Sequence, residues 1–401
     1  MDETAEYAEY AEKSGFPCVP RIPRFQTNHV GEDLGHPSAL DPSPAVIDPL
    51  PINRRLSVIL WALLLGVSPA GAQTNEAAPA LKALEEGLGH LDARLTRQMN
   101  ELLWFQRLGD VALVDKVRFT GPPPRAADDV ILPPGSNEVV VSAFTFMPRT
   151  RPLWRRIPLI VWAHGEIHGN VATDEDAHIV RELVLQGYAV IAPDYRGSSG
   201  YGGDFWRQID YGGLEVEDVD AARRWFLERH READPARIGI IGWSHGGLIA
   251  LMTVFAHPEA YRACYAGVPV SDLEERIRQK GKDYEQLFAA PHHLGKTVAE
   301  DPEEYRRRSP AWNAERLRTP LLVHANSNDD DVSAAEVERL VVALRAADKD
   351  FTYHLYTNAP GGHLFNRLDT PLALESRAEI WRFLARHLHP PKPATNKPME
   401  R

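Results

Sequence analysis

The residues with the clearest chemical capability are Gly242-Trp243-Ser244-His245-Gly246, which form a G-x-S-x-G sequence. The preceding run, residues 237–241, is short, apolar and rich in isoleucine, which predicts a buried strand, and the following run, 247–252, favours a helix. A serine at such a corner stands exposed on a tight turn, because small flanking glycines let the strand and the helix approach it. The backbone N–H of His245 can then point at the oxyanion that forms when Ser244 attacks a carbonyl.

A serine hydroxyl becomes a nucleophile when a base takes its proton, and that base is usually a histidine oriented by a carboxylate. In a sheet of strand–helix units, the acid and then the histidine are expected after later strands than the serine. Asp329, with Asp331 as the second candidate, follows one predicted late strand, and His363 follows the next one after two glycines. We therefore predict that Ser244, Asp329 and His363 form a catalytic triad.

A second oxyanion donor is expected on the loop after an early strand, and we assign the backbone N–H of Gly165 to this role beside that of His245. The same loop contains His164-x-Glu166-x-His168. This sequence differs from the H-E-x-x-H metal motif and lies on a loop instead of a helix, so we predict no metal site.

The glycine-rich stretch 194–202 lacks the G-x-G-x-x-G spacing of a dinucleotide-binding loop, and we predict no cofactor. We interpret it as a loop at the rim of the substrate pocket, in which Tyr195 and Tyr201 contact substrate. A purely structural turn is the alternative interpretation.

From residue 139 onward, short apolar runs alternate with helical patterns. Strands are predicted at residues 139–146, 157–163, 188–192, 237–241, 263–268, 320–324 and 351–356. A helix is predicted over 216–230 between two of these strands, and a helix over 376–388 closes the domain, whereas 271–316 is charged, helical and without a strand. Repeated strand–helix units predict an α/β fold with a mostly parallel, doubly wound sheet. We place this catalytic domain at residues 139–389, with 271–316 as a helical cap and 390–401 as a disordered tail.

The N-terminal third of the chain has a different character. Residues 1–53 are first acidic and then rich in proline, which predicts disorder or a non-native extension, with translation starting nearer Val46 or Leu50. Residues 54–72 combine two arginines, a dozen apolar residues and an A-x-A site, the parts of a signal peptide. We therefore expect export to the periplasm or the medium, with cleavage after Ala72; an uncleaved membrane anchor is the alternative.

Residues 73–138 are predicted to hold an N-terminal helix and a linker. Leucines recur there at a spacing of three and four residues, at positions 81, 84, 88, 91 and 95 and again at 102. A helix packed on the catalytic domain is the plain interpretation, and a coiled coil that makes a homodimer is the alternative.

Composition excludes several classes of protein. The net charge of −11 over 401 residues gives no basic patch for a nucleic acid, so we expect no nucleic-acid partner. Two cysteines, Cys18 and Cys264, cannot build a disulfide framework, and cleavage after Ala72 would leave Cys264 as a lone thiol, which we expect to be buried.

Four segments together resemble the catalytic domain of the prolyl oligopeptidase family of α/β-hydrolases. They are His164-Gly165, the stretch Asp194-Tyr195-Arg196-Gly197-Ser198-Ser199-Gly200-Tyr201-Gly202, Gly242-Trp243-Ser244-His245-Gly246-Gly247, and Gly361-Gly362-His363. The resemblance implies a triad of Ser244, Asp329 and His363, because Asp329 lies three residues before Val332, as the acid of the family lies before its valine. Many members carry an N-terminal β-propeller, for which the stretch before Val139 is too short.

The triad implies acyl transfer, and the substrate stays open between two enzyme classes. The first is a serine peptidase on short peptides, and the second is a carboxylesterase on small or sugar-linked esters. A catalytically inactive binding protein is the third alternative.

Overall fold

The computed structural model describes residues 74–124, 139–151 and 155–393. Three predicted segments lie outside the described residues: the extension over 1–53, the signal peptide over 54–72 and most of the C-terminal tail. Within the described part of the chain, no helix is both long enough and apolar enough to span a membrane.

The catalytic domain is organised around one sheet of eight described strands. The strands are β1 (Ala112–Thr120), β2 (Val140–Pro148), β3 (Ile157–Ala163), β4 (Ala189–Asp194), β5 (Ala233–Trp243), β6 (Ala263–Gly267), β7 (Leu321–Asn326) and β8 (Phe351–Tyr356). Their spatial order is β1-β2-β4-β3-β5-β6-β7-β8. Strands β3 to β8 pair in parallel, whereas β1 and β2 run antiparallel at one edge. The predicted mostly parallel α/β sheet is confirmed.

The described helices precede, connect and follow the strands. They are α1 (Thr74–Leu108), α2 (Thr173–Gln186), α3 (Gly203–Trp206), α4 (Leu214–Arg229), α5 (His245–Ala256), α6 (Leu273–Lys280), α7 (Lys282–Ala289), α8 (Pro302–Arg307), α9 (Ala334–Ala346) and α10 (Pro371–Leu388), with 3₁₀ turns at Pro310–Arg316 and Gly362–Leu364. The segment 271–316 contains α6, α7, α8 and one 3₁₀ turn but no strand, in keeping with its helical pattern.

The core lies on both faces of the sheet, because side chains alternate along each strand. In β3, Leu159 and Val161 join the cluster under α4, α5 and α9, whereas Ile160 and Trp162 join the cluster under α1, α2 and α10. A strand buried on both faces must be apolar at every position, which explains the continuous apolar run from Ile157 to Ala163. Cys264 on β6 is fully buried, and burial raises the pKa of its thiol, so it is a packing residue.

Two features of the N-terminal region differ from the sequence prediction. The sheet begins at Ala112, inside the stretch predicted as a linker, because β1 pairs with β2 along nine residues. This edge strand is half exposed and carries charged residues, so its sequence lacks the apolar run of a central strand. The N-terminal helix is longer than its leucine spacing indicated and continues to Leu108, where Trp104 and Leu108 are buried in the core.

Candidate active site

Ser244 occupies the sharp corner between β5 and α5. Its backbone angles are φ 58° and ψ −123°, a strained conformation that an L-residue rarely adopts and that costs on the order of 1–3 kcal/mol. The Ser244 N–H donates to the carbonyl of Gly267 on β6 at 2.9 Å, which fixes the corner to the neighbouring strand. The residue is buried among its neighbours, with 7% of its surface exposed, and it lines a cavity.

The glycines of the corner are required by close packing. A Cβ at position 242 would lie 2.1 Å from the carbonyl oxygen of Gly246, and one at position 246 would lie 2.2 Å from that of Ala163. Real Cβ atoms do not approach backbone oxygens this closely, so any side chain would force the strand and helix apart. The G-x-S-x-G spacing is therefore explained by the approach of α5 to the ends of β5 and β3.

His363 lies in the 3₁₀ turn after β8, and Gly361 and Gly362 before it both have positive φ. Its Nδ1 lies 2.8 Å from Oδ2 of Asp329, which follows β7. The Asp329 side chain is fully buried, and its Oδ1 accepts hydrogen bonds from the backbone N–H groups of Asp331 and Val332, each at 2.9 Å. The carboxylate is thus locked in place by its own loop, with its second oxygen aimed at the imidazole.

Asp331 is placed differently from Asp329. Its Oδ2 lies 3.8 Å from Nε2 of His363, beyond hydrogen-bond distance, and its Oδ1 accepts from Nη2 of Arg276 at 2.9 Å. Burial opposes its ionisation, but Arg276, His363 and Lys280 together hold the pKa of the Asp331 carboxyl below its usual value. The structure therefore pairs the histidine Nδ1 with Asp329 and gives Asp331 to the arginine.

The loop after β3 brings Gly165 to the serine. A Cβ at Gly165 would lie 3.8 Å from Cβ of Ser244, and both residues line the same cavity. His245 also lines this cavity, as the first residue of α5. The two backbone positions assigned to the oxyanion are thus gathered around the serine.

Tyr195 and Tyr201 are not brought to the cavity, and the prediction that they contact substrate is corrected here. Tyr195 is fully buried, and its hydroxyl donates toward the carbonyl oxygens of His164 and Glu166, 3.0 and 3.1 Å away. The Tyr201 hydroxyl donates to Oδ2 of Asp194 at 2.5 Å. Both side chains support the loops around the serine from behind, because their hydroxyl groups are used inside the protein.

His164 and His168 make hydrogen-bond contacts with the 194–202 loop. Nε2 of His164 lies 2.9 Å from Oγ of Ser198, and Nδ1 of His168 lies 2.7 Å from the carbonyl oxygen of Gly197. Burial lowers the pKa of both imidazoles, that of His168 to about 4. Among the described residues, no three His, Cys, Asp or Glu side chains are grouped closely enough to hold a metal ion.

Beneath the serine, the side chain of His245 is enclosed with Glu215 of α4. Nε2 of His245 lies 3.6 Å from Oε1 of Glu215, and both side chains are buried. Burial lowers the pKa of His245 well below its ordinary value and raises that of Glu215 to about 8, so both groups are neutral at pH 7. This enclosed pair therefore adds little charge next to Ser244.

Comparison with known proteins decides the family. The family model described as "Prolyl oligopeptidase family" matches residues 176–390, more than half of the chain. The chain belongs to the prolyl oligopeptidase family. This membership confirms the sequence resemblance and makes the protein a member of a family of serine peptidases.

Individual relatives resemble only the part of the chain that holds the site. A Bacillus subtilis protein described as uncharacterized peptidase YuxL is 29% identical over 235 residues, which are 58% of this chain and 35% of that protein. Dipeptidyl aminopeptidase BIII of Pseudoxanthomonas mexicana is 27% identical over 232 residues, 56% of this chain and 32% of that enzyme. The human acylamino-acid-releasing enzyme is 25% identical over 265 residues, 63% of this chain and 35% of that enzyme. The chain thus matches about a third of the length of each relative.

Solved structures support the fold. A puromycin hydrolase superposes with a TM-score of 0.59 at 24% identity and covers 72% of this chain and 42% of that one. The acylaminoacyl peptidase of Pyrococcus horikoshii gives a TM-score of 0.57 at 19% identity, over 72% of this chain and 43% of that one. These likenesses agree with the α/β-hydrolase sheet described above.

The cavity of this prolyl oligopeptidase family member measures about 380 Å³. Its lining contains Gly165, Glu166, Ile167, Tyr211, Ser244, His245, Val270, Arg276, Tyr284, Asp331, His363, Leu364 and Arg367. The helical segment 271–316 contributes Arg276 from α6 and Tyr284 from α7, so it forms part of the wall of the site.

Arg276 is a charged lining residue that the sequence did not predict, as are Glu166 and Arg367. Arg276 is buried, and its guanidinium donates to the carbonyl oxygen of Asp331 at 3.0 Å and to Tyr284 through Nε at 2.8 Å. The sequence did hold a signal, because Arg276 lies three residues after Leu273 and one before Ile277, on the apolar face of α6. A charged residue on such a face must have buried partners, and here they are Tyr284 of α7, Glu336 of α9 and the loop that holds Asp329 and Asp331.

Proposed function

We propose that this protein is a serine peptidase that cleaves short peptides through an acyl-enzyme at Ser244. The observation that carries the proposal is the joint placement of three groups: a strained, cavity-lining serine, a cavity-lining His363, and a buried Asp329 that is hydrogen-bonded to His363 at 2.8 Å. They come from the carboxyl ends of three parallel strands, as in other hydrolases that use a serine, an acid and a histidine. Chain order and geometry therefore support the same roles.

The proposed reaction follows from these contacts. Oγ of Ser244 attacks the peptide carbonyl while Nε2 of His363 takes the hydroxyl proton, and Asp329 stabilises the imidazolium through Nδ1. The backbone N–H groups of Gly165 and His245 bind the oxyanion. His363 then returns the proton to the leaving amine, and the C–N bond breaks to leave an ester on Ser244. A water molecule, activated by the same histidine, hydrolyses this ester and restores the serine.

The cavity favours small substrates. A volume of about 380 Å³ lies at the low end of ligand pockets, which span roughly 300–1,000 Å³. The cavity wall is apolar at Ile167, Val270 and Leu364, and helices α6 and α7 close one side of the cavity. A folded protein chain cannot enter such a space, so we expect substrates of a few residues.

The names of the relatives support an amide bond as the target. One relative is an acylamino-acid-releasing enzyme and another is a dipeptidyl aminopeptidase, and both names describe the release of small products from peptides. A carboxylesterase with the same triad is the competing proposal, since the triad serves both reactions.

A matched panel of chromogenic aminoacyl amides and acyl esters with the same acyl groups tests the proposal. We expect amide turnover by the wild type and a loss of at least about 10⁴-fold in kcat for Ser244→Ala. Strong ester turnover without any amide turnover would eliminate the peptidase in favour of the esterase. Turnover of neither class by a folded enzyme would favour a binding protein.

We also propose that the protein is exported. Residues 54–72 combine two arginines, an apolar run and an A-x-A site that ends at Ala72, which is the composition of a signal peptide. Mass spectrometry of the native protein is expected to find Gln73 at its N-terminus. Native protein that retains residues 1–40 would contradict both the export and the predicted later start.

A further inference from the structure

Helix α1 carries a continuous line of apolar side chains that the domain leaves uncovered. They recur at alternating steps of three and four residues, which is the heptad period of a coiled-coil seam. The members of this seam are Leu81, Leu84, Leu88, Leu91, Leu95, Leu102 and Phe105, with Gln98 at the one polar position. Their exposed fractions lie between 37% and 74%. The pattern therefore extends over four heptads, the length at which such a repeat indicates a coiled coil.

The opposite side of the same helix attaches it to the domain. Trp104 is fully buried and its indole N–H donates to the carbonyl oxygen of Val171 at 3.0 Å. Arg97 donates to the carbonyl oxygen of Gly200 at 2.9 Å, and its guanidinium lies 4.5 Å from the ring centre of Tyr201. At 3.6 residues per turn, Trp104 and Arg97 lie roughly 130° around the helix from the middle of the seam. The seam thus points away from the catalytic domain.

The first half of α1 needs a partner for its own stability. Residues 81–89 are exposed on every side, and a Cβ at Gly87 or Gly89 would meet nothing within 4 Å. Glycine destabilises a helix relative to alanine, and short helical stretches without tertiary packing are marginal in water. Packing along the seam would supply the missing stabilisation.

We propose that α1 forms a parallel, two-stranded coiled coil with α1 of a second copy of this chain. An in-register parallel pair flanks its seam without like charges. The flanking pairs are Gly87 with Asp92, Arg94 with Met99, and Glu101 with Gln106. A fully overlapping antiparallel pair would instead set Asp92 against Asp92 and Arg94 against Arg94.

Gln98 fixes the register of this pair. In the parallel arrangement the two Gln98 side chains meet within an otherwise apolar seam, where their amides can bond to each other. A shift by one heptad would set one amide against Leu91 and the other against Phe105, which costs free energy. The two catalytic domains would then lie on opposite outer sides of the coiled coil, because each is attached to the face of α1 away from the seam.

Sedimentation equilibrium of the full chain tests the proposal. We expect a mass of twice 44.9 kDa for the wild type at micromolar concentration. Leu95→Glu places a charge in the seam and is expected to raise the dissociation constant at least about 100-fold with kcat/KM unchanged. The matched control is Thr96→Glu, an exposed neighbour outside the seam, which is expected to remain dimeric.

Two further variants sharpen the test. Gln98→Leu removes the polar pair and is expected to tighten the dimer at least about tenfold. Leu81→Cys in a Cys18→Ser background is expected to form a disulfide-linked dimer on oxidation, since equivalent residues meet only in the parallel arrangement and Cys264 is buried. Failure to cross-link would overturn the parallel arrangement. A monomeric wild type, or a dimer that persists unchanged in Leu95→Glu, would overturn the proposal itself.

Discussion

Replacement of Asp329 by asparagine separates the two acids that the sequence offered for one role. Oδ1 of Asp329 accepts two backbone N–H groups at 2.9 Å, and an asparagine would keep both bonds through its carbonyl oxygen. Its amide nitrogen would then face Nδ1 of His363, where the carboxylate oxygen now lies at 2.8 Å. Because an amide N–H is a donor, the ring must present a lone pair at Nδ1 and carry its proton on Nε2.

That tautomer cannot act as a base toward Ser244, so the rate of the chemical step should fall sharply while the protein stays folded. An equivalent exchange in a serine protease with a triad of serine, histidine and aspartate lowers kcat about 10⁴-fold, which corresponds to about 5 kcal/mol of transition-state stabilisation. We expect a loss of this size in kcat for Asp329→Asn, with little change in the melting temperature because both backbone bonds remain.

Asp331→Asn is the matched control for this exchange. Oδ1 of Asp331 accepts from Arg276 at 2.9 Å, and an asparagine oxygen can accept the same bond. Its other oxygen lies 3.8 Å from Nε2 of His363 and makes no hydrogen bond with it. We expect kcat to fall less than about tenfold, since no tautomer is disturbed. Steady-state kinetics on one amide substrate would refute the reasoning if Asp331→Asn lost as much activity as Asp329→Asn.

Two further predictions concern the architecture under the site. Burial on folding raises the pKa of Glu215 from 4.5 to about 8. Between these two pH values the unfolded chain has lost the proton that the folded protein keeps, so the free energy of unfolding should fall as pH rises. Glu215→Gln should therefore flatten the pH dependence of the free energy of urea unfolding. It should also raise Tm at pH 8.5 by roughly 5 °C relative to the exposed control Glu228→Gln. An equal dependence of unfolding free energy on pH in both variants would contradict this. Gly246→Ala would set a Cβ 2.2 Å from the carbonyl oxygen of Ala163 and should cost at least about 2 kcal/mol in thermal or urea unfolding, whereas Gly89→Ala, with nothing within 4 Å, should be neutral or stabilising. A Gly246→Ala variant as stable as wild type would contradict the packing argument.

The parallel strands were predictable because each is an apolar run bounded by turn residues. The bounds of β3 and β8 agree with the prediction at both ends. Strand β3 lies inside the sheet and is apolar throughout, whereas β8 lies at its edge and alternates partly buried apolar residues with exposed Thr352 and His354. Strand β1 was not predictable in this way. Asp115 and Arg118 are exposed at the edge of the sheet, Lys116 pairs with Glu101 of α1, and only the pairing with β2 makes this segment a strand.

The site was predictable where chain order determines position. Ser244, His363 and an acid after β7 follow from the rule that loops at the carboxyl ends of parallel strands converge. The choice between Asp329 and Asp331 depends on the directions of hydrogen bonds within one short loop. Residue spacing gives no information on these directions. The direction of Tyr195 is a similar case, because its hydroxyl turns inward to His164 and Glu166 instead of toward the cavity.

The reactivity of Ser244 toward an active-site phosphonate tests the central claim most directly. The probe attacks only a serine whose proton a neighbouring base can take. Peptide mapping by mass spectrometry is expected to find one phosphonate per chain, on Ser244, with labelling abolished in Ser244→Ala and slowed in Asp329→Asn. A folded wild type that stays unlabelled, or a label on a different residue, would contradict the account.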